Sequence, residues 1–303
     1  MPVAAVSIVR NEEDIIEPFV RHNAVHVDYF LICDHQSTDS TRAIIERLRD
    51  EGYPIFLYSV ESEIFQHGRW ITILANEAKA LIHNLKYVVP LDADEFIQTD
   101  GASFGTVLDD HFTHQGGRVA FMRWVTCVPT SNDEATQPNP VIRLAHRFAS
   151  EPAQHSKVVL RAGAVNPLLN IGFGSHAAMY LRHKLKGHVL DDAVLYHFPV
   201  RSLEQVSRKV RAGTEATEEV RRRKPGVADH WKRLAAAFDA DANAMRDAMS
   251  VACRYLDIGT NDTPDIVAGD FRYLGGGPNL GETLRYAYRN QARRELLSLA
   301  FRS

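Results

Sequence analysis

The stretch Tyr87–Phe96 reads Tyr-Val-Val-Pro-Leu-Asp-Ala-Asp-Glu-Phe, an apolar run that ends in acidic residues. Such a run is typical of a buried strand that delivers carboxylates at its carboxyl end, where open α/β sheets bind their ligands. Asp92 and Asp94 flank the small residue Ala93, so both carboxylates can turn towards one point. Oxygen ligands in this position suit Mg²⁺ or Mn²⁺ shared with substrate phosphates. The alternative is a merely acidic turn, because Asp is common in turns.

Composition places the chain among ordinary globular proteins. It has 303 residues, 45% apolar and 24% charged, which allows one large domain or one domain with an extension. The formal charge of −3 argues against a protein built mainly to hold nucleic acid, which would carry a strong basic excess. Cys33, Cys127 and Cys253 match no metal or redox spacing, so we expect reduced thiols.

The sequence also predicts where the protein resides. No apolar run approaches the roughly 20 residues that span a bilayer. The first residues pass straight into an apolar strand without the basic region of a secretory signal, so we expect a cytoplasmic protein. The basic run Arg221–Lys224 could contact an anionic membrane surface at the inner face, with a solvated helix face as the alternative.

Strand-like and helix-like patterns alternate through the first 95 residues or so. This alternation predicts an α/β fold with a parallel, doubly wound sheet. There is no Gly-x-Gly-x-x-Gly after the first strand and no Walker loop, so if the fold binds a nucleotide, we expect a metal to hold the phosphate. The pattern is mostly helical after Ser202, and a shift near Thr214 predicts a catalytic domain at 1–214 and a helical extension at 215–303, with a last helix at about 282–301. The predicted strands are Val3–Val9, Tyr29–Cys33, Ile55–Tyr58, the run ending at Asp92, Arg118–Thr126, Lys157–Arg161 and Ala193–Tyr196.

With these residues in view, the chain resembles the family 2-like glycosyltransferases of GT-A fold. Val6–Glu12 is similar to the opening strand and Asn-Glu turn of that family. Ile32–Thr41 resembles its Asp-Asp-Gly-Ser-Thr-Asp segment, with His35 and Gln36 in place of the usual Asp and Gly. Leu91–Phe96 matches its metal-binding Asp-x-Asp stretch. The resemblance implies a Rossmann-type, mostly parallel sheet flanked by helices.

The resemblance also implies roles for the matched positions. Asp34 would face the base or ribose of a nucleotide. The metal ligands would be Asp92, Asp94 and, from a later element, His197, holding Mn²⁺ or Mg²⁺ on the diphosphate. The nucleotide- or donor-binding residues would be Arg10, Asn11, Asp34, Arg69, Ala93, Lys157 and Arg201. Arg69, Lys157 and Arg201 belong to this set because basic side chains near element ends suit phosphate, although each could instead be a surface charge.

The general base is harder to place. Inverting transfer, the usual outcome in this family, needs one group to deprotonate the acceptor hydroxyl. The chain shows no clear Glu-Asp pair after the Asp-x-Asp stretch. The candidates are Asp191, Asp192 and His176, while Glu95 could equally orient the metal shell. Asp191 and Asp192 are alternatively plain turn residues.

The expected activity is metal-dependent transfer of a sugar from a nucleotide-diphospho-sugar, expected to be a UDP-sugar, to a glycan, lipid-linked or small-molecule acceptor. A nucleotidyltransferase acting on a sugar phosphate is the first alternative, because it also places two carboxylates on metal-bound phosphates. A catalytically inactive binding protein of the same fold is the second. Fold alone does not decide among them.

Overall fold

The computed structural model describes residues 1–62, 66–130, 132–134, 136–151, 155–223, 235–236 and 265–275, with only the backbone described at 203 and 215–223. The strands are β1 Val3–Val9, β2 Tyr29–Asp34, β3 Ile55–Ser59, β4 Tyr87–Pro90, β5 Glu95–Thr99, β6 Val119–Val128, β7 His146–Phe148, β8 Ser156–Arg161, β9 Leu169–Ile171, β10 Ala178–Tyr180, β11 His183–Lys184, β12 Val189–His197 and β13 Ile266–Ala268. The helices are α1 Ile16–Asn23, α2 Thr41–Asp50, α3 His67–Leu81, α4 Phe104–Gln115, α5 Pro140–Arg143 and α6 Leu203–Arg223, with 3₁₀ turns at Ala162–Ala164 and Phe173–Ser175.

The first four strands form a parallel sheet in the order β3-β2-β1-β4. Alternate residues of β1 face opposite sides: Val3 and Ala5 pack in one core with α1, α2 and α4, whereas Ala4 and Val6 pack with α3. Burial on both faces explains why these strands read as continuous apolar runs. The predicted α/β class, with a sheet flanked by helices, is confirmed.

The second half of the sheet is mixed. β8 lies antiparallel between β4 and β6, and β6 pairs with β12 in parallel, while β5 and β7 add antiparallel pairs at the far side. The result is a sheet of ten strands in the described part of the chain, with the small sheet β11-β10-β9 packed beside α3. The parallel order predicted from the first 95 residues therefore holds for β1–β4 and gives way beyond them.

The predicted domain boundary near residue 214 lies within a continuous helix. α6 runs through Thr214 as one helix, and β13 pairs with β7, so part of the predicted extension joins the main sheet. Phe271 and Tyr273 pack against the same core as α1. The predicted last helix at 282–301 and Cys253 lie outside the described residues, as does Lys224, and the two-domain division stays a prediction. No helix in the described ranges is both long and apolar enough to cross a membrane.

Strand polarity brings the predicted site residues to one edge. The carboxyl ends of β1 and β2 lie side by side, with Val9 opposite Asp34. β12 ends at the same edge, since His197 lies opposite both Glu95 of β5 and Thr126 of β6. β8 runs the other way, so its first residues, including Lys157, start where β4 ends.

Candidate functional site

The Asp-Ala-Asp turn between β4 and β5 is fixed by hydrogen bonds on both sides. Leu91 N–H donates to the carbonyl of Val6 at 3.1 Å, and Phe198 N–H donates to the carbonyl of Asp94 at 2.9 Å. Ala93 is 3% exposed, so a larger side chain at this position would displace its neighbours. The backbone thus sets the direction of the two carboxylates, which is what a preorganised site requires.

Asp92 is 37% exposed and contacts three buried residues, and we name the four together the Asp92 side: Asp92, Glu95, Lys157 and His67. The Lys157 Nζ lies 2.6 Å from Asp92 Oδ2 and 3.1 Å from Glu95 Oε2, and its side chain is wholly buried. His67 Nε2 lies 3.7 Å from Asp92 Oδ1. Glu95 Oε2 also accepts the backbone N–H of Asp92 at 2.8 Å, which closes the turn.

The ammonium of Lys157 does not stabilise the ionised forms of Asp92 and Glu95 equally. Burial alone would raise the pKa of Asp92, but Lys157 and His67 bring it well below its ordinary value. At Glu95 burial prevails over the same lysine and raises the pKa to about 8. The charge of Lys157 is therefore balanced by Asp92, and Glu95 is protonated at neutral pH. Lys157 was predicted to contact phosphate, but its buried ammonium is already committed to these carboxylates.

Asp94 belongs to a second group that we name the Asp94 side: Asp94, Lys209, Arg201, Glu12, Asp14 and His197. Lys209 of α6 places its Nζ 2.5 Å from Asp94 Oδ2. Arg201 Nη1 lies farther away, 3.7 Å from the same oxygen. Burial opposes ionisation of Asp94, and the nearby cations, Lys209 foremost, still lower its pKa.

The guanidinium of Arg201 organises the acidic residues that follow β1. It donates to Asp14 at 2.7 and 2.9 Å and to Glu12 at 2.6 Å, and Nη1 donates to the carbonyl of Phe198 at 3.1 Å. Its side chain is fully buried. The prediction that Arg201 contacts donor phosphate therefore needs correction, because its N–H groups are taken by carboxylates and a carbonyl. Glu12 and Asp14 precede α1 rather than forming its first turn, which leaves them able to face Arg201.

His197 closes the Asp94 side. Its Nε2 lies 3.8 Å from Asp94 Oδ1, too far for a hydrogen bond. Trp124 stacks on the imidazole with ring centroids 4.3 Å apart and an interplanar angle of 25°. Burial lowers the pKa of His197 to about 4, so the ring is neutral at pH 7. Since Nδ1 has no hydrogen-bond partner among the described residues, stacking holds this ring in place.

Asp94 and His197 fit a shared divalent ion better than the predicted trio with Asp92. Two ligands of one octahedral ion lie about 3 to 4 Å apart, given metal–ligand distances of about 2.0–2.2 Å, and the 3.8 Å separation falls in this range. Asp92 Oδ2 is instead occupied by Lys157. Within the described ranges no three His, Cys, Asp or Glu side chains are arranged to hold a metal, so phosphate and water would have to complete the shell.

The loop after β2 lies at the same edge of the sheet as the Asp92 and Asp94 sides, and we call it the second wall of the site. Asp34 is 4% exposed at the end of β2, and Oδ1 accepts the N–H of Ser37 at 3.3 Å. Asn11, with a positive φ of 57°, accepts the N–H of Thr38 at 2.8 Å through Oδ1, so its amide oxygen shapes the loop. Arg10 Nε is buried and has no hydrogen-bond partner in the described part of the chain. It is the donor that this wall leaves available for a ligand.

His35 has a packing role. Its ring lies 4.8 Å from that of Trp70, and its Nε2 bonds the carbonyl of Ser62 at 2.8 Å. It is 1% exposed and therefore does not line the open edge of the site.

The structure does not bring three of the predicted residues to the carboxylates. Asp191 and Asp192 are exposed on β12. The antiparallel pairing with β5 places the next residue, Ala193, opposite Thr99, at the end of β5 remote from Glu95. At about 3.3 Å per residue, Asp192 is some 16 Å from His197, so neither aspartate is in reach as a base. Arg69 is exposed in the first turn of α3, where Nη1 donates to Gln66 at 3.3 Å.

His176 does lie beside the site. Its Nδ1 lies 3.0 Å from the carbonyl of Ser156, the residue before Lys157. A carbonyl only accepts hydrogen bonds, so the proton sits on Nδ1 and Nε2 is left as an acceptor. Burial lowers the pKa of His176, and the charge of Lys157 lowers it further. A neutral imidazole with an accepting nitrogen can take a proton.

Sequence reasoning missed Lys209, Trp124 and the roles of Glu12 and Asp14. Lys209 is 115 residues from Asp94 along the chain, and no spacing signals such a contact. Glu12 and Asp14 directly follow the Asn11 turn, so their position was visible. Only the buried partner Arg201, from a distant element, shows what they do.

No protein-family model and no curated protein matches the chain. Among solved structures, the chain is similar to a mycobacterial protein at 15% identity, with 41% of each chain covered and a TM-score of 0.28. It is also similar to glucosyl-3-phosphoglycerate synthase from Mycobacterium tuberculosis in complex with Mg²⁺ and uridine diphosphate, at 14% identity, covering 68% of this chain and 74% of that one, with a TM-score of 0.37. A third is 4-diphosphocytidyl-2C-methyl-D-erythritol synthase from Anaerococcus prevotii, at 7% identity, 54% and 70% coverage and a TM-score of 0.28. The chain thus spans well under half of the first of these proteins, and the residue assignments rest on its own geometry.

Proposed function

We propose that the protein is a glycosyltransferase that moves a sugar from a nucleoside-diphospho-sugar to an acceptor hydroxyl, with Mn²⁺ or Mg²⁺ at Asp94 and His197. The observation that supports this most is the meeting of Asp34, the Asp-Ala-Asp turn and His197 at one edge of the sheet. Acidic groups of this kind hold a nucleotide by its sugar hydroxyls and by its metal-bound phosphates. The carboxyl edge of parallel strands is where such ligands bind.

In this proposal the donor lies across the two walls of the site. The nucleoside rests at Asp34, where the unpartnered Arg10 Nε supplies a further hydrogen-bond donor. Asp94 and His197 would hold the divalent ion, which would supply positive charge to stabilise a departing diphosphate. Lys157 keeps Asp92 ionised and fixed, and Arg201 sets the position of Asp94, Glu12 and Asp14 from behind.

His176 is our choice of general base now that Asp191 and Asp192 are remote. The acceptor oxygen bonds to the anomeric carbon, its proton passes to His176 Nε2, and the bond from that carbon to the diphosphate breaks. The nucleoside diphosphate leaves with the electron pair. His176→Gln should lower kcat by about 10²- to 10⁴-fold with donor affinity unchanged. The matched control is His155→Gln, since His155 is an exposed neighbour whose ring lies 5.2 Å from that of His176.

Calorimetric titration tests the donor assignment. UDP, GDP and CDP are each titrated with and without Mn²⁺ into wild type and Asp94→Ala. We expect one nucleotide, UDP first, to bind with metal and to lose that binding in the variant. Failure of every nucleotide under every metal condition would overturn the donor site and leave the binding-protein alternative.

The reaction product separates this proposal from nucleotidyl transfer. A glycosyltransferase supplied with a nucleotide-sugar releases a nucleoside diphosphate. A nucleotidyltransferase supplied with a nucleoside triphosphate and a sugar phosphate releases pyrophosphate. Both products are measured on the same preparation, and pyrophosphate alone would replace our proposal. The acceptor class, whether glycan, lipid-linked or small molecule, and peripheral membrane contact through Arg221–Lys224 remain predictions.

A further inference from the structure

Lys209 stands out from Lys157 and Arg201 because its side chain is partly exposed. Its side chain is 23% exposed, whereas those of Lys157 and Arg201 are 0% exposed. It reaches Asp94 from the second turn or so of α6, and its Nζ lies 2.5 Å from Oδ2. A lysine stem is flexible, so an ammonium at the solvent side of a carboxylate can move where a buried one cannot.

The ammonium of Lys209 lies at Asp94, where a divalent ion would also bind. Asp94 Oδ2 holds the ammonium, while Oδ1 faces His197 Nε2 at 3.8 Å. An ion that arrives alone would meet a carboxylate already neutralised by Lys209, with Arg201 a further 3.7 Å contact. Like charges close together repel, so this arrangement opposes binding of the bare ion.

A diphosphate changes this balance. It carries its own negative charge to the same place and offers oxygen atoms both to an ion and to an ammonium. The other two cations cannot respond, because Lys157 is held by Asp92 and Glu95, and Arg201 by Glu12 and Asp14. Among Lys157, Arg201 and Lys209, the partly exposed side chain is that of Lys209.

We propose that Lys209 is an exchangeable counter-ion: it neutralises Asp94 in the empty site and moves to the diphosphate when nucleotide and metal bind together. Lys209 is thus a positioning residue that makes metal binding depend on nucleotide. This inference rests on the proposed function, because it requires a diphosphate ligand. It adds a residue and an order of binding that the donor site by itself does not require.

The test measures metal binding directly. Free Mn²⁺ is followed by electron paramagnetic resonance during titration of the full chain, with and without UDP. In wild type we expect weak Mn²⁺ binding alone and much tighter binding with UDP. Lys209→Met should tighten Mn²⁺ binding alone about two- to fivefold and weaken UDP binding in the presence of Mn²⁺ by a similar factor, as loss of one partly exposed ion pair would. Arg211→Met is the matched control, an exposed cation two residues along the same helix, and should change neither value.

The two affinities are expected to change in opposite directions in Lys209→Met, which separates the counter-ion role from a loss of structure. A general loss of structure would weaken both affinities together, and Lys209→Arg, which keeps the charge, should restore the UDP affinity in large part. If wild type binds UDP with Mn²⁺ and Lys209→Met alters neither affinity, or weakens both, the counter-ion role is wrong while the proposed function stands. If wild type binds no nucleotide at all, the proposed function fails first.

Discussion

Asp92 and Asp94 are two residues apart in one turn, and each accepts a lysine ammonium, yet the two lysines differ in almost every physical respect. Lys157 enters from strand β8, is wholly buried and is shared with Glu95. Lys209 enters from helix α6, is 23% exposed and pairs with Asp94 beside Arg201. The lysine on the Asp92 side is therefore enclosed and the lysine on the Asp94 side is open to solvent, although Asp92 is itself the more exposed carboxylate, at 37% against 4%.

This difference shows that one short motif can contain two ion pairs whose lysines differ in burial. A buried ion pair is expensive to break, because the remaining charge has no water around it. A partly exposed pair contributes little to stability, because water replaces the lost partner. On this basis we expect the Lys157 pair to serve as scaffold and the Lys209 pair to be the one that a ligand can displace.

The largest expected effect is from Lys157→Met, which leaves Asp92 and Glu95 without their cation. We expect unfolding free energy to fall by about 3 kcal/mol, because the variant removes a wholly buried ammonium from the buried Glu95 carboxyl and from Asp92, whose charge is 37% exposed and so keeps part of its water. Urea unfolding at pH 7 measures it. Lys184→Met, at an exposed position on β11, is the control and should change stability by less than about 0.5 kcal/mol. A loss at Lys157 as small as that of the control would break the comparison.

Packing of α3 supports the Asp92 side, and Gly68→Ala tests this support. Gly68 follows His67, and a Cβ at this position would lie 2.4 Å from the backbone oxygen of Ile171. Backbone cannot yield as a flexible side chain does, so we expect a loss of about 1–3 kcal/mol in urea unfolding. Gly163→Ala is the matched control, since a Cβ there meets nothing within 4 Å. Equal effects of the two substitutions would show that the close approach of α3 to β9 is not constrained.

The parallel strands β1–β4 and the rest of the sheet also differ in how much of their structure the sequence predicts. β1–β4 and their helices follow from local patterns, because buried parallel strands read as apolar runs and each helix has an apolar face. Asp34, Asp92, Asp94 and His197 were predicted as site residues because each stands near a strand end, and they lie at one edge of the sheet. The strands β5, β7 and β9–β11 are short or lie directly beside a turn, and their pairing depends on distant partners.

The errors at the site have a common physical cause. Arg201 and Lys157 were predicted to contact phosphate from their charge and position in the chain. Whether a cation faces a ligand or a buried carboxylate depends on which distant acids it meets, and sequence separation says nothing about this. The 189 residues between Glu12 and Arg201 illustrate the point. The prediction of Asp191 or Asp192 as the general base is unsupported for a related reason, because the direction of β12 decides which of its ends lies at the site.

Mild acid should weaken the structure behind the turn before it breaks either lysine pair. His22 is buried, its Nε2 bonds the carbonyl of Ile97 at 2.7 Å, and its Nδ1 accepts the N–H of Leu274 at 3.1 Å. Burial lowers its pKa to about 3, although the Ile97 bond opposes the shift. The unfolded state, with an ordinary pKa near 6.5, therefore binds the proton first as the pH falls. Stability from this group is complete above about pH 6.5 and is lost towards pH 3.

The expected loss from His22 is about 2 kcal/mol between pH 6.5 and pH 5, at up to about 1.4 kcal/mol per pH unit. Unfolding free energies of wild type and His22→Gln over this range measure it, and the variant should show a shallower acid slope. His114→Gln, at an exposed position in the last turn of α4, should keep the wild-type slope. Asp92 and Asp94 have lowered pKa values, so both pairs should persist over the same range. An unchanged slope in His22→Gln would show that His22 does not set the acid limit.

The smallest expected effect sharpens the comparison most, because Lys209→Met removes the same kind of pair as Lys157→Met. We expect it to cost about 1 kcal/mol or less, since water reaches the vacated position and Arg201 remains 3.7 Å from Asp94. Raising the salt concentration should shrink this difference, because a partly exposed pair is screened, and should leave the effect of Lys157→Met nearly unchanged. Urea unfolding of both variants at low and high salt makes the measurement. A loss at Lys209 as large and as salt-insensitive as that at Lys157 would mean that Asp94 is also part of the scaffold, and that its ammonium is not free to leave.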